Sequence, residues 1–540
     1  QLRSRAATLD YLEHHVEVSV VVAPAPGDLD QTLASIRAQC YDRIEVLVAA
    51  RAEGTTRYEP GATRAASLNA AMATARGDYV LCVLQGDVLA PNCVFDLVHA
   101  VQSGEDAAYG DEDRIERGEH TAGHLKPARF GRETLYSYDV VGAPLLVRRQ
   151  LACELGYDDA AHPVESHDLA LRLAERTAAI THVPGVLLSR PASLDPDPAD
   201  ATAATISVVT RALARQGRSA SVSAGEVLPS VRYVVAPPTP APSIAIVIPT
   251  RDRLDLLRAC VDSVRERTTY ASYSIVILDN DSKEEETLRW MKESGLAIVP
   301  CPGPFNYASI VNRGVQGVEA DYVVTLNNDT TIATPDWLER MVGLCSLDSV
   351  GSVGVKLRYP DGRLQHEGVG IIPMPVHLSR DVNYPEVDRW LTSTRDAAAV
   401  TGACQMVRMQ AWRELGGLDP AFDVGYNDID FGIRLTQAGW RVVYTPEVVV
   451  GHRESASRGN VHPRHNVLEL IARWDLLGGF VDPSVAPSTR AGGGGIELAA
   501  PPRDVAAAPG ASRLGAVARR GADVARALLD DRADPALRLA

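Results

Sequence analysis

Two stretches of the chain repeat one order of hydrophobic and polar positions. The apolar run Val18-Ser19-Val20-Val21-Val22 leads through a proline turn into a helical pattern from Leu29 to Gln39, then into the strand-like run Ile44 to Ala49. From Ser243 the order recurs: Ile244-Ala245-Ile246-Val247-Ile248-Pro249, a helical pattern from Leu254 to Arg267, and Ser274-Ile275-Val276-Ile277-Leu278. Continuous β-branched runs of this length predict strands buried on both faces, and strand, helix, strand in succession predicts a parallel sheet. The likeness continues, since Ala66-Ser67-Leu68-Asn69 before Gly77-Asp78-Tyr79-Val80-Leu81 matches Ala308-Ser309-Ile310-Val311-Asn312 before Ala320-Asp321-Tyr322-Val323-Val324. Two tandem copies of one α/β domain, each a mostly parallel central sheet flanked by helices, is the economical reading.

The copies are expected over residues 17–190 and 243–482. Residues 191–242 read as a linker holding a helix (Ala201 to Gln216), a short hairpin (Ser219 to Val235) and the semi-rigid spacer Pro237-Pro238-Thr239-Pro240-Ala241-Pro242. Residues 483–540, rich in Ala, Gly, Pro and Arg, predict a disordered tail with one weakly amphipathic stretch from Ser512 to Arg532. The glycine run Gly492 to Gly495 follows no predicted strand and opens no helix, so it reads as linker and not as a phosphate loop.

Composition narrows the picture. A length of 540 residues is too great for one ordinary core, which agrees with two domains. A formal net charge of −15 excludes a chain built to neutralise nucleic-acid phosphates. The eight cysteines are scattered with no C-x-x-C pair, a usage that fits reduced thiols. Without a run of about 20 apolar residues the chain reads as soluble and cytoplasmic.

In open α/β sheets ligands sit beyond the carboxyl ends of the strands. There the second copy carries Thr250-Arg251-Asp252-Arg253 and Asp279-Asn280-Asp281-Ser282, whose short polar groups and cations suit a base, a ribose or a diphosphate and read equally well as turns. The run Tyr322 to Leu326 ends in Asn327-Asn328-Asp329-Thr330. Asp329 suits a hard divalent cation, typically held by one or two carboxylates plus substrate phosphates, and reads alternatively as an Asx turn. Asn427-Asp428-Ile429-Asp430-Phe431 opens a helix that stops near Gly439. Residues two apart on a helix do not share a face, so one of Asp428 and Asp430 can face a pocket while the other caps or supports. His452, after Val448-Val449-Val450, is either a ligand or a structural histidine, and Arg453 and Arg458 beyond it suit a diphosphate or a charged surface.

Together these residues resemble the family 2 glycosyltransferases of the GT-A fold, particularly tandem-domain bacterial rhamnosyltransferase-like and O-antigen-type proteins. The resemblance covers about residues 17 to 482 and is carried by Ile248-Pro249-Thr250-Arg251-Asp252-Arg253, Gly303-Pro304-Phe305-Asn306-Tyr307-Ala308, Leu326-Asn327-Asn328-Asp329, Thr401-Gly402-Ala403-Cys404, Gly417-Leu418-Asp419 through Phe431, and His452 through Gly459. It implies two GT-A domains and inverting transfer of a sugar from a nucleotide-diphosphate donor, a UDP- or dTDP-sugar, to a hydroxyl of a glycan or lipid-linked glycan in cell-surface polysaccharide synthesis. It further implies a divalent cation, Mn²⁺ or Mg²⁺, held by Asp329 and His452, with Asn327 replacing the first Asp of the family's D-x-D. Asp428 matches the catalytic base. Thr250, Arg251, Arg253, Asp279, Asn280, Asn327, Asn328 and Arg458 fall to the donor, while His366, Thr401, Gly402, Ala403 and Asp430 fall to the acceptor site. A lipid-linked acceptor implies peripheral contact with the inner face of the cytoplasmic membrane.

The first copy departs from this pattern. Its second strand ends in Val48-Ala49-Ala50-Arg51, Leu84-Gln85-Gly86-Asp87 reads as a shortened D-x-D region, and the terminal histidine's position falls at Ser189. Asp111-Glu112-Asp113 and His167-Asp168 persist. The expectation is a degenerate first domain with a structural or acceptor-positioning role. The rival from another class is a catalytically inactive glycan- or nucleotide-sugar-binding scaffold, in which both copies have lost turnover.

Overall fold

The computed structural model describes residues 12–121, 126, 127, 129, 131–371, 374–378, 390–454, 464–476, 482, 484, 489–492 and 495–498. The chain divides into two compact units whose main bodies are Gln1–Tyr233 and Val234–Asp482. In the second unit the sheet order is Ala297–Pro300, Tyr273–Asp279, Ile244–Thr250, Tyr322–Leu326, Cys404–Arg408, Val350–Arg358, Arg441–His452, Thr330–Ile332. The first four strands are parallel; Cys404–Arg408 then runs antiparallel to both its neighbours, and Thr330–Ile332 closes the sheet antiparallel to Arg441–His452. The first unit repeats this order with Thr56–Arg57, Ile44–Val48, Val18–Ala23, Tyr79–Leu84, Leu145–Arg148, Ala107–Glu116, Ile180–Pro191 and Val88–Leu89. The duplicated α/β architecture legible in the hydrophobic pattern is therefore the one observed, with an antiparallel strand dividing each sheet.

The central strands are predominantly apolar because both their faces are covered. Every residue of Val18–Ala23 and of Tyr322–Leu326 is buried. Alternation along the first of these serves two cores: Val18, Val20 and Val22 pack with Leu33, Ile36 and Leu97, while Val21 and Ala23 pack with Leu68 and Met72 on the other face. Two helices that flank these strands start where a short polar side chain satisfies free N–H groups. Asp28 accepts from the backbone of Asp30 and Gln31, and Asn306 accepts from Ser309 N–H to open Tyr307–Gln316.

The segment expected as linker contains the helix Pro198–Arg215, which joins the first unit through Arg215 to Glu175 at 2.8 Å and Arg211 to Asp168 at 3.3 Å. The hairpin follows as Ala220–Ala224 paired with Val231–Val235. One expectation for the tail is corrected: Thr489–Gly492 and Gly495–Leu498 form an antiparallel pair with Gly492 opposite Gly495, so the glycine run follows a strand after all. The stretch Ser512 to Arg532 lies outside the described residues. No helix among the described residues is long and apolar enough to cross a membrane.

Polar struts recur at matching places in the two units. The Asn69 side chain exchanges hydrogen bonds with the backbone of Tyr157, as Asn312 does with Leu418. Buried Asp168 binds Arg172, whose remaining N–H groups reach Leu155 and Gly156 carbonyls. Buried Asp430 likewise binds Arg434 Nε at 2.7 Å, and Arg434 reaches the carbonyls of Leu415 and Gly417. Arg473 and the Trp474 indole, both at 3.2 Å, occupy the other Asp430 oxygen. Removing one partner of such a group leaves a poorly solvated charge. Asp430→Ala is accordingly expected to lower stability by about 3 kcal/mol in urea unfolding, with an unchanged melt identifying the strut as dispensable.

Candidate active site

The carboxyl ends of the second unit's parallel strands converge on one crevice. Thr250 ends its strand buried, and its Oγ1 accepts from Asn328 Nδ2 at 3.0 Å, which ties two neighbouring strand ends together. Opposite Thr250 in register stands Asp279, whose Oδ1 accepts from Ser282 N–H. Asn280 is 2% exposed; its amide N–H groups bind the Cys301 and Gly303 carbonyls, while its Oδ1 is buried with no hydrogen-bond partner among the described residues. A buried orphan acceptor costs on the order of 1–3 kcal/mol and is a group that a ligand donor would satisfy. Asp252 and Arg253 both adopt left-handed φ, 55° and 56°. The turn they form lets Asp252 Oδ1 accept from Glu284 N–H at 2.8 Å. Arg253 pairs with Asp255 at 3.2 Å and lies within electrostatic reach of Asp329, whereas Arg251 is exposed. Arg458 lies outside the described residues.

Asn327 is half-buried, and its N–H donates to the Ala403 carbonyl at 3.0 Å. Asp329, 6% exposed, meets His452 because Thr330 pairs with His452 across the closing strands. His452 Nε2 lies 3.1 Å from Asp329 Oδ1, yet that oxygen accepts no hydrogen bond among the described residues. His452 Nδ1 is 2.8 Å from Gln365 Oε1. A buried carboxylate oxygen and an imidazole nitrogen facing each other without a hydrogen bond fit a divalent cation. Among the described residues no three His, Cys, Asp or Glu side chains gather at one point, so further oxygens would come from donor phosphates and water, as is usual for Mg²⁺-type sites.

Asp428 sits half-buried in the first turn of Asn427–Gln437, preceded by Tyr426 at φ 63°. Its Oδ2 accepts from Gly402 N–H and its Oδ1 from Ile429 N–H, each at 2.9 Å. Gly402 is itself fixed: its carbonyl accepts from Thr325 Oγ1 at 2.9 Å and from the Tyr307 hydroxyl at 3.2 Å. The loop Thr401 to Ala403 thus orients the carboxylate. Two expectations about the acceptor side change. Asp430 is fully buried with both oxygens held by Arg434, Arg473 and Trp474, so it supports the helix and does not face the crevice; the helical geometry that separates i and i+2 is the reason. His366 is also fully buried behind the loop, with Thr401 N–H donating to its Nε2 at 3.4 Å and His377 Nδ1 2.9 Å from its Nδ1. Sequence reasoning overlooked Tyr307 as a buttress, although it lies in the motif Gly303 to Ala308.

Strand registers identify the matching positions of the first unit. Val18 pairs with Ile44 and Tyr79 as Ile244 pairs with Tyr273 and Tyr322. Counting onward gives Pro24 for Thr250, Ala50 for Asp279, Arg51 for Asn280 and Gly86 for Asp329. Leu89 pairs with Leu188 as Ile332 pairs with Val450, which assigns Arg190 to the place of His452 and corrects the Ser189 expectation. The Asp168–Arg172 strut matches Asp430–Arg434, so Ser166 stands for Asp428. Asp168 persists as a strut and not as a base. Asp87, one step past Gly86, is fully buried and held by Arg190 through two contacts of 2.7 Å. Gly86 has φ 106°, a conformation that residues with a side chain rarely adopt, so an aspartate at that point would strain the backbone.

Residues 240–472 match the family model described as "Glycosyltransferase like family 2". A Sinorhizobium fredii protein, "Uncharacterized protein y4gI", is 31% identical over 524 residues, which span 87% of this chain and 57% of that one. The O-antigen biosynthesis protein RfbC of Myxococcus xanthus is 33% identical across 78% of this chain and 34% of its own length. An N-acetylglucosaminyl-diphospho-decaprenol L-rhamnosyltransferase of Mycobacterium tuberculosis is 24% identical across 42% of this chain and 79% of that protein. The chain therefore spans little more than half the length of the first relative and about a third of the second.

Burial, then the neighbouring charges of His377, Arg395 and His452, hold the proton affinity of His366 well below that of a free histidine, 6.5. The unfolded chain thus takes up a proton that the folded chain refuses, and stability falls as pH drops below about 6.5, by up to about 1.4 kcal/mol per pH unit for this one group. Thermal melts from pH 7.5 to 5.5 are expected to show a shallower fall for His366→Asn than for the parent; equal slopes would remove His366 as the cause.

Proposed function

We propose that the second unit, whose residues 240–472 match the family model described as "Glycosyltransferase like family 2", transfers a sugar with inversion from a nucleotide-diphosphate donor, a UDP- or dTDP-sugar, to a hydroxyl of a glycan or lipid-linked glycan in cell-surface polysaccharide synthesis. The observation that carries this reading is the pairing, in one unit, of the orphaned Asp329 oxygen facing His452 with an Asp428 carboxylate oriented by Gly402 N–H. Thr250, Asp279, Asn280, Asn327, Asn328, Arg251 and Arg253 line the donor side, with the Asn280 orphan oxygen ready to accept from the nucleoside. Asp329 and His452 would hold Mn²⁺ or Mg²⁺, which when bound offsets the charge of the diphosphate.

On the acceptor side Asp428 takes the proton of the attacking hydroxyl as that oxygen bonds to the anomeric carbon and the bond from that carbon to the diphosphate oxygen breaks. A single displacement of this kind inverts the carbon. Thr401, Gly402 and Ala403 hold the loop that aims Asp428, and His366 supports the loop from behind. A lipid-linked acceptor would bring the chain to the inner face of the cytoplasmic membrane as a peripheral protein.

The first unit carries a second reading. Pro24, Ala50, Arg51, Gly86, Arg190 and Ser166 stand at the six positions where the second unit has its chemistry, while the struts remain. We take it to be a non-transferring domain over residues 17–190, and residues 243–482 to be the catalytic one.

The test uses the full chain with Mn²⁺ and a panel of UDP-, dTDP- and GDP-sugars. Asp428→Asn should lower transfer by about 10²–10⁴-fold while donor binding persists, and Asp329→Ala should abolish Mn²⁺-dependent donor binding. Mn²⁺ titration should reveal a single site per chain. Retained transfer in the Asp428 variant would reject the base assignment, a second Mn²⁺ site would reject the reading of the first unit, and absence of donor binding altogether would favour a glycan-binding scaffold.

A further inference from the structure

The Asp329–His452 pair does not stand alone. Gln365 lies on the strand Leu364–His366, which folds back on Val350–Arg358, itself the parallel neighbour of Arg441–His452. Adjacent residues of a strand point opposite ways. Gln365 and His366 accordingly serve different partners, the first meeting His452 and the second the loop at Thr401.

An amide side chain has one end that donates and one that accepts, and its neighbours decide which end is where. Glu454 Oε2 lies 3.2 Å from the Gln365 nitrogen and also accepts from the Tyr359 hydroxyl at 2.8 Å. A carboxylate accepts, so the Gln365 end beside it is the NH₂ end. The oxygen end then faces His452 Nδ1 at 2.8 Å. An amide oxygen carries no hydrogen, and the hydrogen in that contact must belong to Nδ1. In a neutral imidazole this leaves Nε2 with its lone pair free, 3.1 Å from an Asp329 oxygen with which it makes no hydrogen bond. Two acceptors held this close repel unless something positive is shared between them. Gln365 is 3% exposed, and both His452 and Asp329 are buried, so water does not relieve the repulsion cheaply.

We propose that Gln365, oriented by Glu454 and Tyr359, is a positioning residue that fixes the Nδ1–H tautomer of His452 and so presents Nε2, together with Asp329, to a divalent cation. This rests on the cation reading of that pair given above. The first unit supplies a physical parallel: where His452 stands in the second unit, it has Arg190, whose permanent charge is already paired with buried Asp87. That unit needs no tautomer control because its positive charge is covalently built in.

Mn²⁺ affinity of the full chain, read by calorimetry or by the electron paramagnetic resonance of free Mn²⁺, separates the outcomes without recourse to activity. Gln365→Leu should raise the Mn²⁺ dissociation constant by about 10–100-fold, the usual effect of losing such an outer partner. The exchange Gln365→Glu with Glu454→Gln keeps an acceptor against Nδ1 and lets the amide at position 454 donate to the carboxylate at position 365, and should restore affinity to within a few-fold of the parent. The exchange decides the matter even if Gln365→Leu folds poorly. Asp329→Ala is the control. If it binds Mn²⁺ as the parent does, the cation reading itself fails; if it loses Mn²⁺ while Gln365→Leu and the exchange variant both bind like the parent, the cation reading stands and the positioning role of Gln365 is overturned. Failure of a folded exchange variant to recover would equally overturn it.

Discussion

The backbone pairing of Thr330 with His452 is the constraint on which the site depends. It joins the loop at the end of one parallel strand to the last residue of a strand far along the chain, and it does so antiparallel, at the edge of the sheet. Without that pairing Asp329 would be a loop carboxylate and His452 a strand terminus in solvent. With it, both are buried, and the polar atoms that meet there must be satisfied by one another or by a ligand. The second layer of Gln365, Glu454 and Tyr359 follows from the same sheet, because the neighbouring hairpin delivers Gln365 to His452.

Comparing the two units separates what the fold needs from what the chemistry needs. The struts survive duplication: Asp168 with Arg172 repeats Asp430 with Arg434, and Asn69 repeats Asn312. These groups satisfy buried backbone carbonyls and amides at strand and helix ends, so their loss would be felt as instability whatever the unit does. The positions that would bind a donor or move a proton have all drifted. The Asp87–Arg190 pair shows how the vacated place is made stable, a guanidinium being an always-charged partner that suits a carboxylate through two contacts.

Orientation of Asp428 illustrates the other half of the site. A carboxylate in the first turn of a helix is ordinarily a cap, favoured by the helix dipole. Here one oxygen reaches across to Gly402 N–H, and Gly402 is locked from the opposite side by Thr325 and Tyr307. The carboxylate thus binds a helix N–H through Oδ1 while Oδ2 is held by the loop. His366, buried behind this loop, adds support that depends on its remaining neutral.

The sequence by itself determined the duplicated α/β architecture, the buried central strands and the loops at their carboxyl ends, because those depend on local hydrophobic runs and on turn residues close in the chain. The grouping of Asn327 to Asp329, Asp428 and His452 came from the resemblance to family 2 glycosyltransferases and not from local pattern. Which of Asp428 and Asp430 faces the crevice was bounded by helical geometry but decided by Arg473 and Trp474, which come from a later helix. That His366 lies behind the loop, that Arg190 and not Ser189 stands in the place of His452, and that Gln365 meets the His452 imidazole were decided only by the tertiary structure. Each rests on strand register or on contacts between distant segments, and a one-residue difference in register, invisible to local pattern, changes which side chain faces the site.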